Sequence, residues 1–144
     1  VHISFAVFAD AANLSQEGKL NVMGIFDALQ VTTFPSVHPR THFVIRLKGT
    51  AADVGKHLMT FRWVNPRGTE LWTSTGELHL EAPTDSTIEM DLPVIAVIDL
   101  PIDTAGRYSM HVDLAGKTVS LINLMVNGPT PVLPLSSRGM SLPA

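Results

Sequence analysis

The sequence predicts an all-β chain: a two-sheet antiparallel β-sandwich, immunoglobulin-like or jelly-roll-like, followed by an extended C-terminal arm. Three observations carry this. Apolar and polar residues alternate at period two through most of the chain, the pattern of strands with one dry and one wet face. Turn-forming clusters recur at roughly the 8–12-residue spacing of a sandwich or barrel. No comparable window keeps apolar residues at i, i+3, i+4 and i+7, and 10 Gly with 10 Pro in 144 residues suit a fold of many turns.

Val1 to Ala9 reads as the first strand, and Asp10 to Ser15 as a polar loop whose Asp and Asn can bond their own backbone. Gln16-Glu17-Gly18-Lys19 turns the chain into strand 20–26, where Gly24 marks a bulge or a close backbone approach. Phe43, Ile45 and Leu47 then share one face, opposite His42, Arg46 and Lys48. Met59, Phe61 and Trp63 repeat the pattern in strand 57–64, against Thr60 and Arg62. Asn65-Pro66-Arg67-Gly68 fits a type I turn into strand 69–81. From Ile88 the even positions Met90, Leu92, Val94, Ala96, Ile98 and Leu100 are apolar, and Pro93 predicts an edge position or a bulge that splits 87–100 in two. Tyr108, Met110, Val112 and Leu114 face inward from strand 107–114, and Ala115-Gly116 closes a hairpin to strand 117–126. The core expected from these phases holds Phe5, Val7, Val22, Phe43, Ile45, Leu47, Phe61, Trp63, Ile88, Met90, Tyr108, Met110, Val112 and Leu121.

The domain therefore spans 1–126, and residues 127–144 form the arm. Four prolines in those last eighteen residues oppose a regular helix or strand and favour an extended chain. The arm has almost no charge apart from Arg138, and its apolar side chains need something to cover them. Its own sandwich is one answer, and a neighbouring subunit or larger assembly is the other. Pro131, Val132, Leu133, Leu135, Arg138, Met140 and Leu142 are the expected interaction residues.

Composition narrows the function classes. Ten Lys+Arg against 13 Asp+Glu give a net charge of -3, so no basic excess points to nucleic acid or an anionic membrane. Zero cysteines exclude a disulfide scaffold, a thiolate metal site and a cysteine nucleophile. No Gly-rich phosphate loop, G-x-S-x-G elbow or H-E-x-x-H motif is present. Of the histidines at 2, 38, 42, 57, 79 and 111, only His38 and His42 have ligand spacing, in what reads as a loop entering a strand. Glu77, His79 and Glu81 project from one strand face, as do His111 with Asp113 and Glu89 with Asp91. Were those strands neighbours, the groups could hold a cation or act as acid and base; a solvated sheet face requires the same polar residues. Trp72 is the one candidate for an exposed sugar-stacking platform, and core packing is its plainer role. No catalytic residue, cofactor or metal is assigned.

Phe5-Ala6-Val7-Phe8-Ala9-Asp10-Ala11-Ala12-Asn13, then Gly18-Lys19-Leu20-Asn21 and Gly24-Ile25-Phe26-Asp27, resemble an uncharacterised family of short bacterial β-sandwich proteins. The resemblance continues through Phe34-Pro35, His38-Pro39, Gly106-Arg107-Tyr108 and Gly116, covering about residues 3–126. It implies the fold and supplies neither an activity nor site residues.

The expected function is that of a non-catalytic structural or docking protein attached to a larger assembly, such as an accessory or decoration subunit of a virion or similar particle. Its partner would be another protein or its own copies, with neither nucleic acid nor membrane involved. A small-molecule or carbohydrate-binding module is the second reading, and a metal-assisted enzyme using the His79 and His111 faces is the third. The strand-like opening lacks a basic n-region and a cleavage site, which predicts cytoplasmic synthesis.

Overall fold

The computed structural model describes residues 1–82 and 89–129. Nine strands run in the order β1 (His2–Leu14), β2 (Leu20–Phe26), β3 (Ala28–Gln30), β4 (Ser36–Gly49), β5 (Gly55–Val64), β6 (Glu70–Leu80), β7 (Met90–Ile102), β8 (Gly106–Leu114) and β9 (Lys117–Asn127), with one 3₁₀ turn at Ala51–Asp53. They form a four-stranded sheet, β2-β1-β4-β7, and a five-stranded sheet, β3-β9-β8-β5-β6. The chain is all-β, as its alternation predicts. Every pairing is antiparallel except that of β3 with β9, which is parallel.

The two dry faces meet in one core. Phe8, Phe43, Ile45, Leu47, Ile98, Leu100 and Ile102 come from the four-stranded sheet, and Met59, Phe61, Trp63, Tyr108, Met110, Val112, Leu114, Leu124 and Val126 from the other. Trp63 stacks on Tyr108 with ring centroids 5.0 Å apart. Its indole N–H donates to the Pro101 carbonyl at 2.9 Å, tying β5 to β7 across the sandwich. At the start of β8 the Tyr108 hydroxyl accepts from the backbone N–H groups of Asp103 and Thr104, both at 3.0 Å. Its proton faces Asp103 Oδ1 and the Thr104 carbonyl, both at 2.8 Å. A buried Trp on an interior strand of one sheet and a Tyr bonding back upstream are immunoglobulin-type features.

The Asn65 turn forms as expected, with Gly68 N–H donating to the Asn65 carbonyl at 3.0 Å. The Ala115-Gly116 turn has φ of 52° and 81°, the type I′ geometry that suits a right-twisted hairpin. Of the two readings of Pro93 the edge position holds: β7 is one continuous strand at a sheet edge, where the proline is tolerated. Three expectations need correction. Asp10 to Leu14 is strand rather than loop, because β2 pairs along it from Ala11↔Met23 to Leu14↔Leu20. His38 and His42 lie within β4 rather than in a loop, on either side of a register shift at which Arg40 has φ of 54°. Phe5 and Leu121 are exposed rather than core. A bulge between Ile3 and Phe5 reverses the phase of β1, so that Ala6 and Phe8 point inward. Val7, Val22 and Met90 are half-buried, and the expected core residue Ile88 lies outside the described residues.

Candidate functional site

The outward faces of the two sheets differ in kind. On the five-stranded sheet, Lys56, Thr60, Arg62, Thr73, Thr75, Glu77, His111 and Asp113 make a mostly polar surface in which Leu58, Leu121 and Met125 are scattered exposed apolar residues. On the four-stranded sheet the register builds apolar rows instead. Ile25, Ala9, His42 and Val97 form one row, and Val7, Val44 and Ile95 the next. Phe5, Arg46 and Pro93 follow at one end, with Val37 and Pro101 at the other. These residues alternate with the core positions, so β1 is apolar on both faces over Phe5 to Ala9, while β4 contributes Val44 among His42, Arg46 and Lys48.

Ala9 and Val44, in the middle, have no exposed surface, whereas Ile25 (62%), Val97 (58%) and Met23 (70%) stand open at the margins. The centre of the face is thus already covered, and the large apolar side chains open to a partner lie at its margins. A contiguous apolar patch of this kind on a sheet face is the usual mark of an interaction surface. Charge lies at one end, where Arg46 lies over the Phe5 ring at 5.9 Å and pairs with Asp91 at 3.2 Å, and also between Val97 and Pro101, where the exposed Asp99 accepts from the Arg40 backbone N–H at 2.9 Å. Lys48 reaches the same carboxylate at 3.7 Å. Sequence reading missed this face because Phe5 and Val7 were assigned inward; the signal was the run of apolar residues in both phases, Phe5 to Ala9.

Of the sequence-predicted acid–base faces, His79 and Glu81 at the end of β6 and Asp91 at the start of β7 line one shallow cavity with Leu80, Met90 and Leu92, whereas the β6 and β8 faces are not brought together. β5 lies between β6 and β8, so cations sit between the two carboxylate rows. Lys56 pairs with Glu77 at 3.9 Å. Arg62 Nε donates to Asp113 Oδ2 at 2.8 Å, and its Nη2 donates to Asp113 Oδ1 at 3.3 Å and Thr118 Oγ1 at 3.2 Å. The hydrogen bonds from Arg62 hold the Asp113 carboxyl below the usual carboxylate range. Burial, then the Arg62 charge, pushes His111 below the ordinary imidazole value. Such a carboxylate is spent on its guanidinium, and among the described residues no cluster of three His, Asp or Glu side chains could hold a metal ion. His38 packs edge-on against Phe26 at 5.6 Å, and His42 lies in the outward row with its Nδ1 3.1 Å from the Arg40 carbonyl. Trp72 is half-buried against the core.

The expected interaction residues Pro131, Val132, Leu133, Leu135, Arg138, Met140 and Leu142 lie outside the described residues. The described chain ends beside β3 and Phe34. Gln30 Nε2 donates to the Gly128 carbonyl at 2.8 Å. A Cβ placed on Gly128 would stand 2.8 Å from the ring of Phe34, just before β4 begins. No helix among the described residues is long and apolar enough to cross a membrane. No curated protein matches the chain. A family model described as a family of unknown function, DUF6941, matches residues 4–127, and the chain belongs to that family.

Proposed function

We propose that this protein is a non-catalytic docking subunit that attaches to a larger assembly through the outward face of its four-stranded sheet. The observation that supports this is the set of exposed apolar side chains on that face, Phe5, Met23, Ile25, Val37 and Val97. Burying it against a protein partner would gain about 25 cal/mol per Å² of apolar area. The exposed Ile25, Met23 and Val97 are the anchors expected to matter most. A virion or similar particle, with this chain as accessory or decoration subunit, is the kind of assembly such a short domain suits. Synthesis in the cytoplasm belongs to the same proposal.

The test is the size of the species that carries the protein in extracts of its own source. The chain should run with a particle far larger than its 15.6 kDa, and a variant with Ile25→Asp and Val97→Asp should run free while staying folded. A wild-type protein found wholly as a free monomer would overturn the proposal.

A further inference from the structure

We infer that the free edge of β6 is a contact between copies of this chain. Two chains pair their β6 strands antiparallel about a two-fold axis, which joins their five-stranded sheets into one continuous sheet. This edge is separate from the apolar face of the other sheet, and its occupant is a second copy.

The backbone sets up the edge. The Leu58 carbonyl accepts from the Ala115 N–H at 3.0 Å, so the polar backbone groups of Leu58 face β8. Successive residues of a strand alternate in this respect, and Met59, Phe61 and Trp63 turn theirs toward β6. Through the register they meet Gly76, Ser74 and Trp72. Thr73, Thr75 and Glu77 therefore aim N–H and C=O away from the sheet. All three are exposed, as are Ser74 and Gly76 between them, and among the described residues β6 has a strand neighbour on one side only.

The other three edges are blunted. β3 has three residues. β7 carries Pro93 and Pro101, which have no N–H to offer. β2 turns to a φ of +70° at Gly24. β6, by contrast, runs for 11 residues without Pro, Lys or Arg, and it holds unbroken register with β5 from Leu80 to Trp72. A long, regular edge of this kind is a ready template for another strand.

The strand is also complementary to itself. A two-fold axis at Thr75 sets Thr75 against its own copy and Thr73 against Glu77 in both halves, and each such pair exchanges both N–H···O bonds. No like charges meet, because Glu77 faces Thr73, whose row continues to Arg62. On that outward face Thr60 Oγ1 and Thr75 Oγ1 are already 2.9 Å apart, and the axis extends them into a continuous row of threonines, a favourable cross-strand set. On the inward face the half-buried Trp72 comes opposite the half-buried Leu78 of the second copy, and each covers apolar surface the other leaves open. Such an isologous contact closes at two copies.

The test is sedimentation velocity of the full chain and of Thr75→Pro across the micromolar range, with circular dichroism and thermal melts of dilute samples to check folding. The Thr75 N–H makes no bond within its own sheet, so an edge strand tolerates proline there. The wild type should pass from monomer to dimer as concentration rises. Thr75→Pro should raise the dimer dissociation constant about tenfold or more, through the backbone bonds lost at the axis. A wild type that stays monomeric overturns the inference, as does a dimer indifferent to Thr75→Pro. A dimer abolished instead by Ile25→Asp with Val97→Asp assigns the contact to the apolar face and overturns it too. Should the proline variant fail to fold, cysteine decides, because the chain has none of its own. Thr75→Cys places two thiols on Cα atoms about 5.5 Å apart across the axis, within disulfide range. Mild oxidation should link it into dimers several-fold more than Val119→Cys, which is exposed on β9. Equal yields from the two overturn the inference.

Discussion

The Tyr108 hydroxyl is held by two backbone N–H groups, a carboxylate and a carbonyl, all from Asp103 and Thr104. Burial raises the Tyr108 pKa, so the hydroxyl stays protonated and able to donate. Burial also acts to raise Asp103, but hydrogen bonds from Tyr108 and Asn65 and the charge of Arg67 outweigh it and leave Asp103 below the usual carboxylate range. Tyr108→Phe keeps the ring that stacks on Trp63 and leaves those backbone groups unpaired. It should cost about 1–3 kcal/mol in denaturant unfolding, and an unchanged midpoint would mean that water replaces the hydroxyl. The other outward cluster sets the pH response. His111 is depressed below 6.5 in the folded state, so the unfolded chain binds the extra proton and stability falls as pH drops through about 6.5. Asp113 and Asp103 are depressed below 3.8, so their contribution is present above that value and is lost as pH falls through their folded values. Urea midpoints should therefore decline in two steps on acidification. His111→Gln should remove the upper step and leave the lower one.

Among elements, the β1–β2 hairpin shows how far alternation can be read. Gly24 sits in β2 with φ of +70°, and a Cβ there would stand 2.9 Å from Cγ of Asp10. The close approach expected from the glycine is therefore real, and it is made by the carboxylate of a residue that sequence reading placed in a loop. Gly24→Ala must adopt a left-handed backbone and displace Asp10, and should lower stability by about 1–2 kcal/mol. Gly18→Ala meets nothing within 4 Å, so the two variants separate backbone strain from crowding in thermal melts. Where only one phase of a strand is apolar, the core was legible: Phe61 and Trp63 in β5, and Tyr108, Met110 and Val112 in β8, are buried as expected. In β9, Val119, Leu121, Ile122, Leu124, Met125 and Val126 occupy both phases, and alternation alone could not say that Leu124 and Val126 point inward. In β1 the bulge after Ile3 is a backbone event with no residue signature. β3 has three residues, too few to show a period. The apolar face was illegible for the same reason, because a strand apolar on both sides hides which side is the core.

At the scale of the molecule, the family match over residues 4–127 and the core from Phe8 to Val126 mark out nearly the same unit. Among the described residues the core cluster runs no further than Val126, and the last backbone ties of β9 run to β3 and its flanks, through Asn127 to Val31 and Met125 to Asp27. Because the family match ends at residue 127, the fold is expected not to depend on residues 130–144. Because Trp63 and Tyr108 sit where the two sheets meet, the sandwich should unfold as one cooperative unit, with tryptophan fluorescence and far-UV circular dichroism giving coincident transitions. Deleting 130–144 should leave that transition close to its full-length position at low protein concentration, where copies are apart. At high concentration the two chains should still agree: association that binds only the folded state raises the melting temperature by mass action, and an edge contact through β6 is present in both. Sedimentation velocity over the same range should show both chains moving from monomer to dimer. A truncated chain that melts much lower even when dilute would show that the segment belongs to its own fold. One that loses the concentration dependence would move the contact between copies from the β6 edge to the segment.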